Sequence, residues 1–438
     1  MCYTQSRFKA LLSACVMSLI ATTGWSQSLT WLGTLGSDQS EAYGVSADGS
    51  VVVGWSSNAA WQYRAFRWTA WGRMQDLGTL GGYNSWANGV SANGAVVVGW
   101  AEIAPYQPRA FRWTAAEGMQ DLGTLGGDWS WAWGVSADGA VVVGVARNAE
   151  GEVRAFRWQN GVMQNLGTLG GYWSEAYDVS ANGAVVVGRS YNTDLLLRAF
   201  RWTVDGGMQD LGTLGGCCSS ALGVSADGSV VVGEARNAAG QLRAFRWQNG
   251  VMQDLGTLGG DESWAWGVSA DGAVVVGWAE DAARQKRAFR WTAAGGMEDL
   301  NTTYASLLTN GLVLVEARAI SPDGRYIVGW GYITSWHREA FLLDTRCTAH
   351  NGDVDRNGCV DDADLLAILF AFGSAGSNLG RVDVNCDRTV DDADLLQVLL
   401  RFGETWDGGE DINWDGIVDD ADLLTLLMDF GRGCGLED

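Results

Sequence analysis

Residues 42–82 read AYGVSADGSVVVGWSSNAAWQYRAFRWTAWGRMQDLGTLGG, and this stretch decides the fold because the chain keeps returning to it. The tetrapeptide VVVG, with YIVG at 326–329 as its last form, ends at Gly54, Gly99, Gly144, Gly188, Gly233, Gly277 and Gly329, in steps of 45, 45, 44, 45, 44 and 52 residues. RAFRW begins at Arg64, Arg109, Arg154, Arg198, Arg243 and Arg287, and Arg338-Glu339-Ala340-Phe341 stands in its place in the seventh unit. A fixed period of this length marks a repeat architecture in which no unit buries its core alone.

One unit resolves into four short β segments: a (42–46), b (50–56), c (64–69) and d (74–80). Branched and aromatic residues fill them and Gly or Asn separates them. Ala-Asp-Gly or Ala-Asn-Gly joins a to b, as at Asp48-Gly49 and Asn93-Gly94, which is tight-turn chemistry. Four antiparallel strands per repeat, seven times over, predict a mostly β chain folded as a seven-bladed β-propeller over residues 29–346. Residues 29–36, LTWLGTLG, are a d segment with no a, b or c before them, whereas the seventh unit has a, b and c but no evident d. The N-terminal strand is therefore expected to complete the last blade and remove the open sheet edge.

In a four-strand blade the b–c and d–a connections share one end. The b–c segments vary from unit to unit, and the d–a segments are rich in rings, so this end is the expected ligand face, with Trp61, Tyr63, Trp86, Trp129, Trp131, Trp173 and Trp264 as candidate contacts. Such rings stack on sugars or grip a protein with little entropic cost. Trp133 and Trp266, which lead into strand a, and the repeated Trp68, Trp113, Trp158, Trp202, Trp247 and Trp291 read as packing. The two arginines of RAFRW are expected to stack on neighbouring rings or to pair with Asp76, Asp121, Asp210, Asp254 and Asp299.

The net charge of the chain is −22, with only Lys9 and Lys286 as lysines, which disfavours a nucleic-acid partner. Residues 1–26 hold Arg7 and Lys9, no acid, and an apolar run too short to span a bilayer, which is the pattern of a cleavable secretory signal. Leu12-Ser13-Ala14-Cys15 offers a lipoprotein alternative; no other segment reads as a membrane span. The expected location is secreted, extracellular or cell-surface, in a bacterium.

Residues 347–438 form a second, strongly acidic module with 21 acids and 5 bases. It repeats a loop and a helix three times, in GDVDRNGCVDDADLLAILFAFG, RVDVNCDRTVDDADLLQVLLRFG and EDINWDGIVDDADLLTLLMDFG. Calcium takes six to eight hard oxygens, and a twelve-residue loop presents them at positions one, three, five, seven, nine and twelve. The first loop supplies Asp353, Asp355, Asn357, the Cys359 carbonyl, Asp361 and Asp364. The second supplies Asp383, Asn385, Asp387, the Thr389 carbonyl, Asp391 and Asp394, and the third Asp411, Asn413, Asp415, the Ile417 carbonyl, Asp419 and Asp422. Arg388 replaces the sharp-turn glycine of the second loop, so that site is expected to be the weaker. Each loop leads into an amphipathic helix, with Leu365, Ile368, Leu369 and Phe372 on one face of the first. The expected module is small and helical, with three Ca2+ loop–helix repeats.

The signature GVSADG…VVVG…AFRW…LGTLGG resembles the bacterial extracellular His-Ala-Phe (HAF) repeat family over residues 29–346, with Arg for His in the first six units. That resemblance implies a secreted repeat protein and no settled activity. The C-terminal repeats, each a loop plus a following helix with Asp at position twelve, resemble the type I dockerin. This implies attachment to a cohesin-like protein in a larger assembly. Dockerins usually carry two repeats where this chain has three, and the helix-entry pair here is Asp-Ala each time.

Six cysteines remain after signal removal. Cys347 is expected to pair with Cys434 and Cys359 with Cys386, while adjacent Cys217 and Cys218 read either as a vicinal pair or as free thiols. Neither histidine, His337 or His350, sits in a catalytic motif, and no catalytic residue is assigned. The reading is a secreted, calcium-binding, non-enzymatic binding or scaffold protein whose propeller meets a polysaccharide or surface glycan. The alternative is a dockerin-bearing carbohydrate-active enzyme with paired carboxylates across the channel.

Overall fold

The computed structural model describes residues 27–308, 311–334 and 336–345 and, further on, 354, 362–375, 379, 382–384 and 389–399. The signal segment and the third loop–helix repeat lie outside the described residues. The chain divides into two compact units, of which Ser28–Thr345 is the larger.

In the larger unit the Val-rich runs pair as antiparallel strands. In the first repeat a is Gly36–Val45, b Val52–Asn58, c Tyr63–Thr69 and d Arg73–Asp76, hydrogen-bonded in that order. The pattern returns with strands a that start at Ser85, Gly126, Gly170, Gly215 and Gly259. In the seventh repeat Val313–Ile320, Tyr326–Tyr332 and Arg338–Asp344 are a, b and c, and Ser28–Trp31 lies antiparallel to c with Trp31 opposite Phe341.

Strand bounds shift by one or two residues from the sequence reading, and two shift by more. Strand a of the first repeat begins at Gly36 rather than at residue 42, and d stops at Asp76 instead of reaching Leu80. The cause of the early stop is local. Asp76 Oδ1 accepts the Gly78 N–H at 2.8 Å, and Gly78 takes φ +80°, so the backbone leaves the sheet and LGTLGG crosses to the next repeat.

Apolar cores lie between successive sheets. Val51, Val53 and Ala65 of the first repeat pack with Ala87, Val97, Phe111 and Trp113 of the second. The same combination recurs around the unit until Val328 and Ala340 of the seventh repeat meet Ala42, Val52, Phe66 and Trp68 of the first. The innermost strands likewise neighbour one another in turn, with that of the seventh repeat beside that of the first. The architecture is thus mostly β, a succession of four-stranded sheets in a propeller-type arrangement.

The polar letters of the repeat serve the backbone. Ser130 Oγ accepts the Ala110 N–H of the preceding sheet at 2.9 Å and donates to the Gly123 carbonyl of the crossover at 2.6 Å. Ser40, Ser85, Ser174, Ser219 and Ser263 do the same. Turn meets turn as well. Ala47 N–H donates to the Ala92 carbonyl, Ala92 to Ala137, and so on to Ala270, which donates to Pro322. Proline carries no N–H to continue the series.

The longer last step holds a helical turn at Leu300–Thr303, and there Val315 replaces the serine. Asn301 takes over the tie, donating from Nδ2 to the Leu314 carbonyl and accepting the Leu314 N–H.

In the C-terminal unit the helices Asp362–Ala371 and Asp392–Leu399 bury Leu365, Ile368, Val384, Val390 and Val398 in one cluster. Leu369 and Phe372, expected on the inner face of the first helix, are each 49% exposed.

Replacing Ser130 by Ala leaves the Ala110 N–H buried without its acceptor. The expected cost is about 1–3 kcal/mol, read as a lower urea midpoint with unchanged slope. An unaltered midpoint would show that the serine tie contributes nothing.

Candidate functional site

The b–c turns show how side chains are put on display. Asn58 Oδ1 accepts the N–H groups of Ala60 and Gln62, and Asn148, Asn192, Asn237 and Asp281 close the equivalent turns. At the turn tip Trp61, Tyr106, Leu195 and Arg284 have φ between 58° and 62°, where two other repeats use Gly151 and Gly240. A left-handed backbone costs a large side chain about 1–2 kcal/mol. At the opposite, c–d end the left-handed positions are mostly Gly or Asn, as at Gly118, Asn160, Gly207, Asn249 and Gly296. Exposed rings follow the same division. Trp61 (68%), Tyr63, Tyr83, Tyr106 (93%), Tyr172, Tyr332 and Trp336 lie at the b–c and d–a end, while Trp71 is at the c–d end.

Inside this rim runs a belt of rings on strands a and b. Trp55 stacks on Trp86 (5.0 Å between centroids), Trp86 on Trp100 (5.8 Å), and Trp100 approaches Trp131 (6.1 Å), which leads through Trp133 to Tyr177. Tyr63 flanks Trp55 and Trp86, and Trp129 flanks Trp131. In the sixth repeat Trp264 contacts Trp266 and Trp278. Of the candidate contacts, Trp61 and Tyr63 are exposed, and Trp86, Trp129, Trp131, Trp173 and Trp264 are half-buried. Trp86, Trp131 and Trp264 occupy one and the same position of strand a in the second, third and sixth repeats. Trp133 and Trp266, read as packing, belong to the belt too. The repeated Trp68, Trp113, Trp202, Trp247 and Trp291 are buried between sheets.

The belt also carries ion pairs that the repeat pattern did not single out. Glu41, Glu175 and Glu316 fill the position held elsewhere by Trp86, Trp131 and Trp264, and all three are buried. Arg338 meets Glu41 at 2.6 Å, Arg189 meets Glu175 at 3.0 Å, and Arg318 and Lys286 meet Glu316 at 2.7 and 3.4 Å. The same cations lie over rings: Arg318 over Trp266 (4.2 Å), Lys286 over Trp278 (3.9 Å) and Arg189 over Trp173 (5.0 Å). Tyr43 donates to Glu41 at 2.6 Å and accepts the Trp55 indole N–H at 3.1 Å. Burial, with the Glu41 charge adding to it, pushes its phenol well above the ordinary range. The detectable signal was variation at one position of an otherwise constant frame.

Two features break the belt. In the fifth repeat Ser220, Leu222 and Glu234 replace rings, and burial pushes the Glu234 carboxyl up. In the fourth, Asp178 stands where five other repeats have Gly44, Gly89, Gly134, Gly223 and Gly267. Its carboxyl accepts the Val179 N–H at 2.8 Å and, from the next sheet, the Val224 N–H at 3.0 Å. Burial raises it to about 7. The indole N–H groups of Trp86, Trp131, Trp264, Trp266 and Trp330 are buried without a hydrogen-bond partner.

The RAFRW arginines divide their work. The first approaches the strand-d acid in three repeats, as with Arg64 and Asp76 at 3.8 Å. The second reaches the next repeat's turn, with Arg157 Nε 3.1 Å from the Gly183 carbonyl and Arg112, Arg201 and Arg246 placed alike.

Of the calcium-loop positions, the structure describes Asp383, Thr389, Asp391 and the side chain of Asp394; Asp353, Asp355, Asn357, Cys359, Asp361, Asn385, Asp387 and the whole third loop lie outside the described residues, as does the side chain of Asp364. So do Cys347, Cys359, Cys386 and Cys434. Asp383 and Asp394 stand at opposite ends of one loop and both are buried. Asp394 accepts the Val384 N–H at 2.6 Å and the Asp391 N–H at 3.1 Å, which draws the two ends together. Among the described residues no group of three or more acids, histidines or cysteines is gathered as a metal would need; buried carboxylates are nonetheless the chemistry a hard divalent cation takes.

No protein-family model matches the chain, and no curated protein matches it. Among solved structures it is similar to TolB from Acinetobacter baumannii (13% identity, TM-score 0.42, over 68% of this chain and 64% of that one). It is also similar to oligogalacturonate lyase from Vibrio parahaemolyticus (8% identity, TM-score 0.47, over 74% of this chain and 98% of that one). The chain thus spans 64% of the length of the TolB structure. Likeness at this level says nothing of what the chain binds or does.

The native Asp178 carboxyl, at about 7, holds its proton more tightly than an unfolded Asp at roughly 4. Its contribution to stability is therefore largest at acid pH and falls as pH rises through that window, by a few kcal/mol at most. Asp178→Gly, which restores the repeat, is expected to flatten this part of the urea-midpoint profile between about pH 4 and about 7, whichever way overall stability moves. A variant with the parent's slope would refute the assignment.

Proposed function

We propose that this is a secreted, calcium-binding, non-enzymatic binding or scaffold protein. Its seven sheets are read as the blades of a seven-bladed propeller, closed by the N-terminal strand. Its b–c and d–a end takes a polysaccharide or surface glycan. The observation that carries the ligand half is the asymmetry of the two ends. Large side chains occupy left-handed turn tips in four repeats at one end, at a cost in backbone energy that Gly or Asn avoids at the other except at Arg73, and the exposed rings other than Trp71 gather on the same side. Stacked indoles suit the flat apolar faces of sugar rings.

The C-terminal unit is read as a dockerin-like module that Ca2+ folds and that attaches the propeller to a cohesin-like protein. The burial of Asp383 and Asp394 at the two ends of one loop supports the calcium part. The attachment part rests on the sequence resemblance, as does membership of the HAF-repeat family.

Affinity electrophoresis against a panel of extracellular polysaccharides tests the ligand half. At least one polysaccharide is expected to retard the protein, and Trp86→Ala or Trp131→Ala to weaken that binding roughly tenfold or more, whereas Trp71→Ala at the opposite end leaves it unchanged. Equal losses from all three variants, or no retardation at all, would refute the face. For the calcium half, titration calorimetry on the full chain is expected to show binding sites that chelator empties. Asp383→Ala with Asp394→Ala should remove one of them, and helical circular dichroism should fall when the metal is withdrawn.

A further inference from the structure

The fifth repeat lacks the belt rings, and its crossover holds the only two cysteines of Ser28–Thr345, Cys217 and Cys218. Aligned on the serine tie, Ser219 corresponds to Ser130 and Ser174. Cys218 therefore stands where the third and fourth repeats carry Trp129 and Trp173, and Cys217 where the fourth carries Tyr172. The two sulfurs are 2.7 Å apart. Cys217 is exposed and Cys218 half-buried.

The backbone on either side of the pair is pinned. Thr213 Oγ1 donates to the Gly216 carbonyl at 3.1 Å and accepts the Gly215 N–H at 3.1 Å. Ser219 Oγ donates to the Gly212 carbonyl and accepts the Ala199 N–H. Between these two clamps the register of strand a against b shifts, from Gly215 opposite Asn237 to Ser219 opposite Ala235. The cysteines thus sit in a bulge outside the regular ladder, where the sheet does not dictate their side-chain directions.

We propose that Cys217 and Cys218 are a redox site that closes to a vicinal disulfide by exchange with a disulfide such as oxidised glutathione. The exposed Cys217, as thiolate, attacks one glutathione sulfur and releases the first glutathione. Cys218, giving up its proton, then attacks the Cys217 sulfur of the mixed disulfide and releases the second. Two cysteine thiols and one glutathione disulfide become one protein disulfide and two glutathione thiols. Closure removes two rotatable, titratable groups. In their place stands a stiff apolar two-sulfur plate, at the position where the third and fourth repeats present a ring. The last clause rests on the ligand face proposed above; the exchange does not.

The test uses the full chain held in glutathione buffers from reducing to oxidising, then alkylated and cut with trypsin. Cleavage at Arg201 and Arg236 leaves both cysteines in one peptide that contains no other. At the oxidising end that peptide is expected unalkylated and lighter by two hydrogen atoms than the dithiol form; at the reducing end it is expected doubly alkylated. Double alkylation at every poise would overturn the proposal, as would a peptide cross-linked to the C-terminal unit or carrying a stable glutathione. Cys218→Ser supplies the control. It should stop at the mixed disulfide on Cys217, and a variant that takes up no glutathione would refute the assignment of the attacking thiol. None of these readouts involves a polysaccharide, so failure of the ligand face leaves the result intact.

Discussion

A methyl group on Gly54 would lie 1.9 Å from the carbonyl oxygen of Glu41, and the equivalent distances at Gly99, Gly144, Gly188, Gly233, Gly277 and Gly329 are 1.9–2.0 Å. Strands a and b can therefore pass this closely only where b has no side chain, which is why VVVG ends as it does. At the same level the register slips, between Ala42 and Gly44 in the first repeat and correspondingly in the others. Such a bulge bends and twists the strand and re-aims its side chains. The carbonyls pressed against these glycines belong to Glu41, Trp86, Trp131, Glu175, Ser220, Trp264 and Glu316, the positions from which the belt is built. One steric requirement, met seven times, thus shapes the sheets and sets the place of the groups that face a ligand.

Around that requirement the conserved polar residues of the repeat are absorbed by backbone. The serine of strand a ties two sheets and a crossover; Asp76 and its counterparts hold the crossover glycines; Thr79 and its counterparts close the LGG turn. Asp48 receives the Ser46 hydroxyl and the Ser50 N–H, which lowers its carboxyl below the usual range. In repeat after repeat these side chains give at least one oxygen to a backbone group, and that is what their recurrence serves. What is left over is the set of positions where the repeats disagree.

This division explains what could be read in advance. Period, turn chemistry and strand count are local properties, and the d segment without a partner at residues 29–36 was visible as an orphan. The ends of strands were misjudged because LGTLGG looks extended in sequence, while the Asp76–Gly78 contact turns it out of the sheet. Of the ion pairs of the belt, only the variable position was legible and not the partners. Arg338 and Glu41 are far apart in sequence and meet only when the last repeat lies beside the first. The same is true of Asp178, whose partner Val224 sits on the next sheet. In the acidic tail the spacing of carboxylates was plain, and the burial of Asp383 and Asp394 adds what spacing could not, namely that these charges are taken out of water.

The missing amide of Pro322 gives the ring of turns a seam. Six turn-to-turn hydrogen bonds link the repeats in series, and the junction of the seventh with the first has none of this kind. The turn glycine there, Gly49, lies against the ring of Tyr326, where the other junctions set a valine such as Val51 against Gly94. The same junction is bridged by the short strand Ser28–Trp31. Under tension applied to the chain ends, a four-residue strand would peel away first and open the ring at its seam. The remaining sheets, still joined turn to turn, would come apart afterwards and one by one. That strand pairs with Asp344, beside the residue at which the chain leaves the larger unit, so the seam and the exit of the chain coincide.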